Sequence, residues 1–136
     1  MKIAILIARI LLGLVFFASG IFGLLKGAKP AGMPDDAMTF MTLMATHHYM
    51  AFVALLMVIG GLLLLVGRFV PIGLVLLGPI LVNILLFHIL FQVKGIAPGL
   101  ICTLLEVFLL WIYRSNFLGL FEAAPKPLAD TLPVKS

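Results

Sequence analysis

The stretch PIGLVLLGPILVNILLFHILFQ, Pro71 to Gln92, decides the fold. It is an apolar run long enough to cross the roughly 30 Å of hydrocarbon in a bilayer, which takes about 20 helical residues. Within it stand two polar side chains, Asn83 and His88. An amide or imidazole left facing hydrocarbon without a partner costs roughly 2 to 7 kcal/mol, so such residues mark where a polar contact or a site belongs.

Composition agrees with a membrane chain. Hydrophobic residues make up 64% of the 136 and charged ones 10%, against roughly 45 to 50% and about 25% in a soluble domain. Mean hydropathy is +1.31. The length suits one domain. The net charge of +4 is spread over the ends of apolar runs instead of forming a basic stripe, which argues against nucleic acid as a partner. Cys102 is the single cysteine, so the chain has no internal disulfide and no CxxC redox or zinc motif.

Working outward from Pro71, three more apolar runs reach spanning length. The spans fall at Ile3 to Leu25, Met50 to Gly67, Val70 to Gln92 and Ile96 to Tyr113. The first also has the outline of a signal peptide, with Phe17-Ala18-Ser19-Gly20 as a passable cleavage site, but Arg9 interrupts its core and the run continues to Leu25, which suits a retained span. The expectation is an all-α integral membrane four-helix bundle over residues 1–121, both termini on one side, followed by a poorly ordered tail over 122–136. Arg114 onward already reads as tail, from its prolines and scattered charge. Lys2, Arg68, Arg114, Lys126 and Lys135 share the terminal side, joined by Arg9 if it snorkels, while Lys26, Lys29 and Lys94 lie opposite. That bias favours termini in the cytoplasm. The very short link around Arg68, with Pro71 in a first helical turn, makes spans two and three antiparallel neighbours. Between Lys26 and Met50, Pro34-Asp35-Asp36 reads as a helix start. Ala37, Met38, Met41, Leu43 and Met44 give that segment an apolar surface, suited to an interfacial turn or to a lid over a cavity.

Depth along each span follows from 1.5 Å per residue. Arg9 and Glu106 both come out roughly 9 to 11 Å from the terminal face, which allows an ion pair; the alternative is that Arg9 snorkels while Glu106 carries a proton or stays wet. Asn83 lies about 18 Å, Ser19 about 24 Å and His88 about 25 Å from the same face, with Gln92 one turn beyond. His88 and Gln92 are spaced i, i+4 and share a helix face, whereas Asn83 is about 140° away from His88. Gly13, Ser19, Gly20, Gly23 and Gly27 on the first span, with Gly60 and Gly61 on the second, are small residues that let helices approach closely. His88 reads either as an interhelical hydrogen-bond partner or as a proton relay or donor to a quinone carbonyl. His47 and His48 are adjacent, so they point about 100° apart and do not form an i, i+4 metal pair. With only His88 embedded, ligand supply argues against haem.

Two stretches, ARILLGLVFFASGIFGLLK (Ala8 to Lys26) and LLMVIGGLLLLVGRFVPIGLVLLGPILVNILLFH (Leu55 to His88), resemble the DoxX family of small four-span bacterial membrane proteins. The first carries that family's opening as Arg9-Ile10-Leu11-Leu12-Gly13-Leu14. Members commonly have a glutamate where this chain has Met57, so a mechanism using an acid on the second span does not carry over. The resemblance implies an accessory membrane subunit linked to quinone-dependent redox chemistry. A quinone-like lipid would bind between helices, with His88, Asn83, Ser19 and Gln92 as candidate ligand-binding residues. The chain has no flavin motif, iron-sulfur ligand set or dithiol, so no cofactor is expected to be intrinsic and electrons would come from a redox partner protein. From a different class comes a structural or lipid-interacting protein, acting through helix packing or as a homo-oligomer. A small-solute or proton pathway lined by Arg9, Glu106, Asn83 and His88 is the third expectation.

Overall fold

A computed structural model describes residues 1–26 and 32–127. Gly27, Lys29 and the end of the tail, with Lys135, lie outside the described residues. Among the described residues five α-helices follow one another: α1 Lys2–Lys26, α2 Asp35–Thr46, α3 Tyr49–Val66, α4 Val70–Phe91 and α5 Ile96–Ile112. Of these, α1, α3, α4 and α5, the last extended by the 3-10 turn Val93–Gly95, are long and apolar enough to cross a membrane. The chain is thus a multi-pass membrane protein built as an all-α four-helix bundle.

The sequence explains where α3 stops and α4 begins. Gly67, at φ 76°, ends α3 in the left-handed conformation that a glycine adopts without strain. Phe69, at φ 57°, repeats that geometry, and Pro71 then sits in the first turn of α4, where no N–H is needed. Three residues therefore reverse the chain. At the other end of α4 the backbone of Gln92 is extended, and its N–H closes the helix on the carbonyl of His88 at 3.1 Å. Arg114–Phe121, expected as loose tail, instead winds into a 3-10 segment after α5, because Phe117 packs back against the core.

Glycine sets the helix spacing. A methyl group built on Gly61 would stand 2.5 Å from the Phe17 nitrogen and 2.7 Å from the Gly13 carbonyl oxygen, so α1 and α3 touch backbone to backbone. Gly20 against Ala54 repeats the contact further along, and Gly60 against Leu77 brings α4 onto α3. Rising numbers on one helix meet falling numbers on the other, Gly13 and Gly20 of α1 against Gly61 and Ala54 of α3, and Gly73 and Leu77 of α4 against Leu64 and Gly60 of α3, so these neighbours are antiparallel. Leu12, Leu64, Leu74, Leu77 and Leu109 fill the centre and are fully buried. The outer surface is equally apolar: Leu104 and Leu90 are both 71% exposed and Ile101 60%. A soluble bundle would hold such a surface out of water, whereas lipid accepts it.

α2 lies across the loop end of the bundle. Its Ala37 is fully buried, and Phe40 stacks on Phe91 of α4 with ring centroids 5.5 Å apart and meets Phe87 at 5.9 Å. The methionine-rich segment is therefore a helix docked on the end of α4 by an aromatic cluster. Its other face, along Asp35, Thr39, Thr42 and Thr46, forms an open shallow groove.

Candidate functional site

At the loop end of α4 the imidazole of His88 is half-buried, and its Nδ1 lies 2.8 Å from the backbone carbonyl of Ile84. A carbonyl oxygen only accepts, so this bond places a proton on Nδ1 and leaves Nε2 as the nitrogen not engaged by it. Phe87 meets the imidazole edge-on at 5.6 Å, and the Phe40, Phe87 and Phe91 rings continue from it. On the other side is Gly95, where a Cβ would come within 3.1 Å of Cδ2 and Nε2. The absence of a side chain at Gly95 is what gives the ring its place. The result is an imidazole edge-on to Phe87, with Nε2 toward Gly95, beside the aromatic cluster that docks α2.

The other expected site residues do not gather around it. Gln92 is half-buried next to the turn, but it caps α4 with an extended backbone, and so does not continue the helical face of His88 as the i, i+4 spacing suggested. The helix ends one residue too early. Asn83 and Ser19 are both exposed on the outside of the bundle. Asn83 turns away from His88, in keeping with the 140° between them.

The Arg9–Glu106 ion pair expected from equal depth is not made. Glu106 is 3% exposed, and neither carboxyl oxygen has a hydrogen-bond partner. It stands opposite Gly78 on α4, and the chain of contacts Gly13 to Gly61, Gly60 to Leu77 and Gly78 to Glu106 puts it near the level of Gly13. That is about one turn, or 5.4 Å, deeper than Arg9. The Arg9 guanidinium goes the other way and lies beside Gly67, where a Cβ would be 2.7 Å from Cζ. There it lies at the carbonyl end of α3, the negative end of that helix dipole, with its Nε buried and without a hydrogen-bond partner. Cys102, one turn before Glu106 on α5, is also buried. Among the described residues no group of three His, Cys, Asp or Glu could hold a metal ion.

Sequence reasoning missed the aromatic cluster. Its only signal was the pair Phe87 and Phe91 at i, i+4 with His88 between them; Phe40 comes from another helix and nothing local announces it.

No protein-family model matches this chain, and no solved structure matches it. The uncharacterized protein YwoB of Bacillus subtilis (strain 168) is similar, 31% identical over 80 residues, which is 59% of this chain and 52% of that protein. The chain thus spans about half the length of the curated relative it matches.

Proposed function

We propose that this chain is an accessory membrane subunit of a quinone-linked redox complex, holding a quinone-type lipid at the loop end of α4. The observation that carries this is His88: an imidazole oriented by the Ile84 carbonyl, edge-on to Phe87 of the phenylalanine cluster, with Nε2 toward Gly95. Planar headgroups stack on such rings. With Nδ1 bonded to the Ile84 carbonyl, Nε2 is the nitrogen left to hydrogen-bond the oxygen of a quinone-type headgroup. The ligand class comes from the DoxX resemblance over Ala8 to Lys26 and Leu55 to His88. Electrons come from a partner protein, and the membrane is the bacterial cytoplasmic one, with the termini in the cytoplasm.

Purified protein tests this. Quinone is expected in its organic extract, and an added short-chain quinone is expected to raise the melting temperature. His88→Leu should fold yet lose both. An extract without quinone, together with no quinone-induced shift, overturns the proposal. Loss of folding in His88→Leu, with a wild type indifferent to quinone, favours a second reading: a structural or lipid-interacting membrane protein. The outward placement of Asn83 and Ser19 favours that second reading, since neither lines a pocket with His88.

A further inference from the structure

We propose that the outer face of α4 is a two-fold contact between copies of this chain, centred on a reciprocal hydrogen bond between the two Asn83 side chains. Asn83 is exposed about 20 Å from Val70 and about 12 Å from Phe91 along the helix, at 1.5 Å per residue. Hydrocarbon surrounds that level. Lysine or arginine could reach the headgroups from there, but a carboxamide on one methylene cannot span 12 Å. The amide must therefore meet protein.

The same strip contains a second polar defect. Pro79, one turn before Asn83, is exposed in the interior of α4. It has no N–H to give the Val75 carbonyl, so that face also carries a backbone acceptor without its helical donor. Two unsatisfied groups on one strip are paired far better against a neighbouring helix than against acyl chains.

The chemistry of the strip selects the partner. Val75, Val82, Leu86 and Leu90 around Asn83 are 52%, 58%, 49% and 71% exposed and all aliphatic, so no charge on a different protein is called for. An amide has a donor and an acceptor, and is complementary to its own image. Copies inserted with the same orientation are related by an axis along the membrane normal, which sets like residue opposite like residue, as an isologous contact requires. Buried asparagine pairs of this kind fix register between helices.

The test is association in bilayers. In nanodiscs or liposomes the wild type should be dimeric, by native mass spectrometry or by energy transfer between labelled copies. Asn83→Val should weaken the dimer about tenfold, whereas Asn83→Gln, which keeps the amide, should retain it. A purely steric contact would rank the two variants the other way. In a Cys102→Ala background, Asn83→Cys should form an interchain disulfide on oxidation, while Leu104→Cys on the outer face of α5 should not. This arm decides the matter even if Asn83→Val folds poorly. A wild type that stays monomeric in bilayers, an Asn83→Val protein that associates like wild type, or an Asn83→Cys protein that cross-links only to another protein overturns the proposal.

Discussion

A charged side chain escapes hydrocarbon only if it is long enough, and Arg9 and Glu106 differ in this. The arginine stem lets its head reach the end of α3 at Gly67, leaving only its Nε buried without a partner, while the glutamate is too short to leave the core and remains with both oxygens unpartnered. A buried polar group without a partner costs about 1 to 3 kcal/mol, and replacing it with an apolar group of like shape removes that cost. Glu106→Met, similar in length and flexible enough to fill the space beside Gly78, is therefore expected to stabilise the solubilised protein by about 1 to 3 kcal/mol in denaturant unfolding. A loss of stability in that variant would mean that the carboxyl has a partner of its own. The two residues also mark where counting along a sequence stops being informative. Counting gives depth below the end of each helix separately. It does not give the register between helices, nor which way a side chain turns. Asn83 illustrates the same limit: α4 is apolar on every side, so no polar stripe tells which face looks outward.

At the scale of elements, the spans were readable to within one residue at most ends, because hydropathy and length alone define them, and Gly67 and Pro71 bracket the reversal. The helix start at Asp35 was readable too. What holds α2 in place was not, since Phe40 finds Phe87 and Phe91 only once the chain has folded. The glycines were recognisable as packing residues, but their pairing is tertiary. Gly61 is the most demanding of them, because a methyl there meets backbone atoms of Phe17 and Gly13, which cannot rotate aside as a side chain can. Overpacking of this kind costs about 1 to 3 kcal/mol. Gly61→Ala is expected to lose that much by forcing α1 from α3. Gly23→Ala, whose added methyl would meet only the Ala54 side chain at 3.2 Å, should lose less. Equal losses in the two unfolding curves would show that α1 and α3 are not held by backbone contact.

For the whole molecule, the position of the Arg9 head bears on which way it sits in the membrane, a point conditional in the sequence. By reaching Gly67, the guanidinium joins the terminal side. Among the described residues that side then carries Lys2, Arg9, Arg68, Arg114 and Lys126, against Lys26 and Lys94 on the other. Only basic residues near span ends weigh in this comparison; Asp35 and Asp36 contribute little. The arrangement favours termini in the cytoplasm, with α2 and the His88 end of α4 toward the outer leaflet. Single cysteines placed in a Cys102→Ala background make this measurable in intact cells. A cysteine at Thr46, exposed at the end of α2, should react with a membrane-impermeant maleimide added outside. One at Ser115, exposed just past α5, should react only after the cells are opened. Reversal of both results would put the termini outside and would move the His88 end to the cytoplasmic leaflet, where any ligand would have to be delivered from the opposite compartment. Adding lysines beside Lys94 should then push the population toward that reversed orientation if the bias is what sets it. A topology unmoved by such additions would show that something other than the distribution of basic residues inserts the bundle.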